Sequence, residues 1–135
     1  MRIHLVPAVF ALLMQSAWAA DCDRGISVTL EGEVVTRAEY GPPNWGADPA
    51  HDSTWIMAVL ILSPASIKAT AEFAFDCEID VTNRREVQLW SVDESAPWTK
   101  YAHRTIRASG VLSVYHGAPA ELLPLQLKVN NVVQL

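Results

Sequence analysis

Histidine and aspartate side chains supply the residue types that could hold a metal ion. His51 has Asp48 three positions before it and Asp52 directly after it, whereas His103 and His116 have no comparable neighbours. Zinc sites need three or four converging ligands, usually including short-range pairs such as two histidines separated by three residues. The Asp48–His51 pair falls short of that pattern, so we expect no metal site and no cofactor.

A hydrolytic site would need a nucleophile, a general base and a residue that orients the base. The chain contains no Gly-x-Ser-x-Gly motif. Ser53, His116 and Asp52 can be combined on paper, but such a triad is defined by geometry rather than by sequence. We therefore predict no catalytic residue, and a small hydrolase using His116 or His51 is kept as the second alternative function.

Two cysteines, Cys22 and Cys77, are present in the chain. An even number of cysteines in an exported protein predicts a disulfide. The alternatives are two free thiols or two metal-bound thiolates, although neither cysteine lies in a C-x-x-C motif. Asp21 precedes Cys22, where a lipoprotein signal would need a small residue, so a lipid anchor is disfavoured.

An aromatic and proline-rich segment could present a binding surface. Two adjacent prolines flanked by glycines, in residues 40–46, cannot continue a strand or a helix and predict a rigid, exposed loop that extends to Asp52. Core or rim packing is the commoner role of tryptophans, and a contact surface for a sugar or a protein is the functional one. The candidate binding residues are Tyr40, Pro42, Pro43, Asn44, Trp45, Asp52 and, from a later loop, His116.

The first twenty residues have the pattern of a secretory signal peptide. Arg2 is followed by an apolar stretch from Leu5 to Met14, and Ala17-Trp18-Ala19 has small residues at the two positions read by signal peptidase. A membrane span would need about 20 apolar residues. We expect cleavage after Ala19 or Ala20 and a periplasmic or secreted protein comprising residues 21–135.

Composition and charge limit the remaining function classes. Half of the 135 residues are hydrophobic and 19% are charged, which fits a globular domain with a core. The net charge of the chain is −5. Arg84-Arg85 forms the longest basic run, so nucleic acid and anionic membranes are disfavoured as partners.

The predicted elements are mainly strands. Period-2 alternation from Ile26 to Leu30 continues past Gly32, where a bend is expected, and the apolar run Trp55–Leu62 predicts a buried strand. Further strands are predicted at 67–75, 87–92, 104–115, with a bend at Gly110, and 123–129. One helical turn is predicted within 93–103, and no amphipathic helix of three turns is expected.

Five or six strands with mid-strand glycine bends predict an all-β fold. A small antiparallel barrel of the oligonucleotide/oligosaccharide-binding (OB) type is our first choice, because closure needs sharp coiling at defined positions, and a β-sandwich is the alternative. Residues 1–20 are then the signal peptide, and residues 21–135 form a single β-barrel domain.

Gly41-Pro42-Pro43-Asn44-Trp45-Gly46, Asp52 and a strand that ends in Leu62-Ser63-Pro64 resemble a family of small exported bacterial proteins of unknown function. The family motif reads Gly-Pro-Pro-Asn-(Tyr/Trp)-Gly, and the likeness covers roughly residues 26–133. The resemblance implies an exported domain with an OB-like fold and brings no known activity. The last loop of that family holds several histidines, of which this chain has His116.

Together these features predict a non-enzymatic binding module of the bacterial envelope that uses the aromatic and proline-rich loop. The expected partner is a protein or a glycan of the cell envelope. The first alternative is a periplasmic inhibitor or immunity protein against an envelope-acting toxin or lysozyme, since an acidic protein suits a basic target.

Overall fold

The computed structural model describes residues 21–91, 98–117 and 122–135. The predicted signal peptide, residues 1–20, lies outside these ranges. So do residues 92–97, which include the end of one predicted strand and the start of the predicted helical turn, and residues 118–121. Five strands and one helix follow in the order β1 (Ile26–Tyr40), β2 (Thr54–Leu62), α1 (Pro64–Asp76), β3 (Glu86–Ser91), β4 (Thr105–Val114) and β5 (Leu125–Gln134). Short 3-10 helices occupy Val81–Asn83 and Trp98–Tyr101, the second within the predicted helical turn.

The five strands pair in the order β1-β2-β3-β5-β4 and close into a barrel, because β4 pairs with β1. The prediction of a mostly β fold is confirmed. The expectation of an antiparallel sheet is wrong at one pair, since β3 and β5 run parallel and make the sheet mixed. Local patterning could not reveal this, because strand direction depends on contacts between residues far apart in the chain.

The long strand β1 serves two sides of the sheet. Residues 26–33 pair with β4 and residues 32–40 pair with β2, so Gly32 and Glu33 have partners on both sides. A side chain at Gly32 would overlap the carbonyl oxygen of Ile61. The glycine therefore permits the close backbone approach that the predicted bend required.

Alternate residues of every strand point into the barrel. The buried apolar residues that line its interior are Leu30, Val34, Ala58, Leu60, Leu62, Val87, Leu89, Ile106, Ala108, Leu112, Leu125, Leu127 and Val129. Phe73 and Ala74 of α1 join the same cluster. The barrel interior is thus a packed core, and the outer face and the connecting loops are left for binding.

The strand predicted at 67–75 is wrong, because these residues belong to the 13-residue helix α1. Ser63 caps the helix by accepting a hydrogen bond from the Ser66 N–H, and Pro64 occupies the first turn, where its missing N–H is not needed. Buried Ser66, Thr70, Phe73 and Ala74 follow a helical spacing. Ser63-Pro64 therefore does more than end β2, as the sequence predicts, because it also starts the helix.

The disulfide between Cys22 and Cys77 is confirmed. Cys77 follows α1 as its C-cap, and the carbonyl of Cys22 accepts the N–H of Val114 at the end of β4. The bond therefore connects the start of the described chain to the helix at one end of the barrel.

Candidate functional site

The loop between β1 and β2, residues 41–53, contains most of the candidate binding residues. Its ends are joined by hydrogen bonds from the Gly41 N–H to the Ser53 carbonyl (2.7 Å) and from the Ser53 N–H to the Pro42 carbonyl (3.0 Å). The Ser53 hydroxyl also donates to the Pro42 carbonyl. Most side chains of the loop are exposed, and the Pro42–Pro43 peptide bond is cis. The backbone is thus fixed at its base while its side chains face solvent.

The carboxylate of Asp52 organises the interior of this loop. It accepts backbone N–H groups from Asn44 (2.7 Å), Gly46 (2.7 Å) and Asp48 (3.2 Å). Partial burial acts to raise the pKa of the Asp52 carboxyl, but these backbone donors outweigh it and hold the pKa below its ordinary value. Asp52 therefore acts as an internal anchor of the loop rather than as a free ligand-binding group.

The backbone around Trp45 is unusual. Trp45 has φ of 52°, in the left-handed region that costs an ordinary residue about 1–2 kcal/mol. The next residue, Gly46, has φ of 94°, and a Cβ there would lie 3.4 Å from the Tyr40 ring. The chain thus accepts backbone strain at the one tryptophan of the loop, and such strain is concentrated at functional sites.

Acid should loosen this loop. Because the folded pKa of Asp52 is depressed, its stabilising contribution is present above the unfolded value of about 3.9 and is lost as the pH falls through the folded pKa. We expect the amide signals of Asn44, Gly46 and Asp48 in NMR spectra to shift together in that acidic range. In Asp52→Asn the shared titration should disappear, and the loop should already be loosened at neutral pH. Three amides that titrate independently of residue 52 would contradict this assignment.

His116 does not join the other candidates. Its Nε2 lies 3.4 Å from the carboxylate of Asp23, and it lines a cavity of about 470 Å³ beside Cys77. None of the described residues that line this cavity belongs to the 41–53 loop. Tyr40, Pro42, Pro43, Asn44, Trp45 and Asp52 are therefore grouped in one loop, and His116 belongs to a separate surface.

The histidines pair with carboxylates in the described part of the chain. His51 Nδ1 lies 2.8 Å from Asp48, so the spacing noted in the sequence corresponds to a real contact. Within residues 21–91, 98–117 and 122–135, no three His, Cys, Asp or Glu side chains form a group that could hold a metal ion. Ser53 donates to the loop backbone rather than to an imidazole.

A pair of stacked tryptophans was missed by sequence reasoning. Trp55 of β2 and Trp90 of β3 stack with ring centroids 5.9 Å apart and an angle of 14° between the planes. A Cβ at Gly41 would lie 3.4 Å from Cδ1 of Trp55, so the start of the loop packs against the Trp55 ring. Trp55 begins one predicted strand and Trp90 lies within the strand predicted at 87–92, but only the register of β2 with β3 brings the two rings together.

No protein-family model, curated protein or solved structure matches this chain. Among the residues described here, no helix has the length and hydrophobicity needed to cross a lipid bilayer.

Proposed function

We propose that this chain is a non-enzymatic binding module of the bacterial envelope, periplasmic or secreted, with an OB-like barrel as its scaffold. The cyclic strand order with one parallel pair supports the OB assignment. In OB folds the face of strands 2 and 3 and the adjoining loops bind ligands. The disulfide fits an oxidising compartment, as the signal-like segment also suggests.

The observation that carries the proposal is the preorganised loop around Trp45. The carboxylate of Asp52 gathers three backbone N–H groups, so the loop does not have to be ordered at the moment of binding. A rigid aromatic residue on such a loop gives contact area at a small entropic cost. The strained backbone at Trp45 supports the same conclusion.

Replacing Trp45 should therefore weaken binding without unfolding the protein. Trp45→Ala should reduce capture of the envelope partner by about tenfold or more, the effect of losing a tryptophan hot spot. In Trp45→Gly two effects on the free energy of unfolding should nearly cancel. Glycine removes the backbone strain of the left-handed conformation at residue 45, but it also gives the unfolded chain more conformational freedom. The thermal midpoint of both variants and their retention of partners from periplasmic extract are the measurements.

Val81→Ala is a suitable control, because Val81 is an exposed apolar residue outside the loop. It should leave both capture and stability unchanged. A loss of more than about 3 kcal/mol of stability in Trp45→Ala would identify Trp45 as a packing residue, since surface changes usually stay within about 0.5 kcal/mol. Unchanged capture would remove the loop from the binding surface.

The inhibitor or immunity function is the second candidate, and an acidic region near the disulfide favours it. Glu78 and Asp80 line the cavity of about 470 Å³ next to Cys77. No resolved ion pair of the described residues neutralises them. A basic enzyme would be steered toward such a region, and its association would weaken with salt. Retention of one basic hydrolase at low but not high salt would favour this function.

A further inference from the structure

The outer face shared by β2, β3 and β5 carries an aromatic platform, which we define as the stacked rings of Trp55 and Trp90. Trp90 is 40% exposed, whereas Met57 and Val59 on the same face of β2 are buried. Tyr40 of β1, Ile56 of β2 and Val133 of β5 are also exposed apolar side chains. Beside the buried Met57 and Val59, Trp90 presents an exposed indole ring whose size matches the apolar face of one sugar ring.

The platform is held in one orientation by Gln126. The indole N–H of Trp90 donates to Oε1 of Gln126 (2.9 Å), and Nε2 of the same amide donates to the Leu123 carbonyl (3.2 Å). Because its N–H is already engaged, Trp90 can contact a ligand only through the ring face and edge. Stacking against the apolar face of a saccharide uses that part of the indole.

Lys128 gives this platform a positive charge. It lies directly opposite Trp90 in the parallel pairing of β3 with β5, and its side chain is exposed. Neighbouring strands are about 4.8 Å apart, so its ammonium group reaches the edge of a ligand stacked on Trp90. None of the carboxylates in the described ranges forms an ion pair with Lys128, whereas Arg37 and Arg107 on the same outer surface are paired with Glu86 and Glu31.

We infer that the platform and Lys128 form a binding site for a carboxylated saccharide of the cell envelope. The apolar face of one sugar ring stacks on Trp90, and the carboxylate of that sugar pairs with Lys128. Glu39, opposite Trp55 in the β1–β2 register, lies on the far side of the platform and can accept hydrogen bonds from hydroxyl or amide groups of the sugar. This inference rests on the proposed binding function and names its ligand class.

Charge complementarity favours this ligand over the alternatives. A neutral saccharide would make no use of the exposed charge of Lys128, and single-stranded nucleic acid would need a basic groove rather than one lysine. The site also adjoins the 41–53 loop, since Gly41 packs against Trp55. One saccharide chain can therefore contact the platform and the loop together.

The test is calorimetric titration of the disulfide-bonded protein with a carboxylated amino-sugar disaccharide and with its analogue in which the carboxylate is reduced to an alcohol. We expect the carboxylated probe to bind more tightly, and Lys128→Gln to lower its affinity by about three- to tenfold while leaving the reduced analogue unaffected. Trp90→Ala should weaken both probes by about tenfold, and Trp90→Phe should retain part of the binding. Lys68→Gln, on the exposed side of α1, and Tyr115→Ala are the matched controls.

Equal affinity for the two probes would show that Lys128 does not pair with the sugar carboxylate. Unchanged binding in a folded Trp90→Ala protein would show that the sugar does not stack on the platform. If neither saccharide binds while Trp45→Ala still abolishes capture of a protein, the saccharide inference fails and the binding function stands. If no variant changes either the affinity for the saccharides or the capture of a partner, the binding function fails as well.

Discussion

The double variant Cys22→Ser/Cys77→Ser should unfold with a free energy about 2–4 kcal/mol lower than that of the disulfide-bonded protein. The bond closes a loop with a sequence separation of 55 residues, which restricts the unfolded chain far more than the folded one. Cys77 is buried at the end of α1, and the Cys22 carbonyl accepts a hydrogen bond from the Val114 N–H. The folded barrel should therefore form without the bond, at reduced stability.

Urea denaturation with circular dichroism measures this loss, and the wild-type protein under reducing conditions is the control. The reduced wild type and the double variant should have the same denaturation midpoint and the same native β-sheet signal. A midpoint that does not change on reduction would show that the bond is not a stabilising element. A loss of sheet signal in native buffer would show that the barrel depends on the bond to form.

Short-range patterns in the sequence predicted the strands, because alternation of apolar and polar residues is a local property. β1, β2, β4 and the apolar face of β5 were all located in this way. The disulfide was also predictable, since only two cysteines had to be paired. Helix α1 was missed because Thr and Phe within it were interpreted as strand formers, although Ser63 and Pro64 form a good helix start.

Properties that depend on pairing between distant strands were not predictable in detail. The parallel β3–β5 pair closes the barrel, and nothing in either strand indicates its direction. The Trp55–Trp90 stack and the hydrogen bond from Trp90 to Gln126 depend on those registers. Side chains that meet across three strands leave no spacing signal in the chain.

The candidate site was likewise predictable only in its local features. The 41–53 loop was predicted because prolines and glycines act locally, and its residues remain together in the structure. The role of Asp52 as the anchor for three backbone N–H groups needed the loop conformation to be recognised. His116 was a candidate binding residue from a later loop, and in the structure it lies beside Asp23 on a separate surface.

Gly110→Ala should destabilise the barrel by about 3 kcal/mol. A Cβ at this position would overlap the carbonyl oxygen of Lys128, and the neighbour it meets is backbone rather than a flexible side chain. The pairing shifts at this point: Ser109 lies opposite Asn131 and Gly110 lies opposite Val129, which leaves Asn130 as the extra residue of a bulge. Overpacking of a tight site costs about 1–3 kcal/mol, and a backbone collision that forces two strands apart falls at the upper end.

Ser109→Ala is the matched control for Gly110→Ala, because it changes the adjacent residue of the same strand. Its side chain shares one exposed hydrogen bond with Thr29, so its loss should cost about 0.5–1 kcal/mol. Denaturant midpoints of both variants, with the disulfide intact, give the comparison. If Gly110→Ala is no more destabilising than Ser109→Ala, β4 and β5 can separate locally at low cost, and the bulge is not what closes the barrel. A much larger loss of stability in Gly110→Ala than in Ser109→Ala means that β4 and β5 must approach each other closely at this residue for the barrel to close. The surface that carries Lys128 and Trp90 then depends on that close approach.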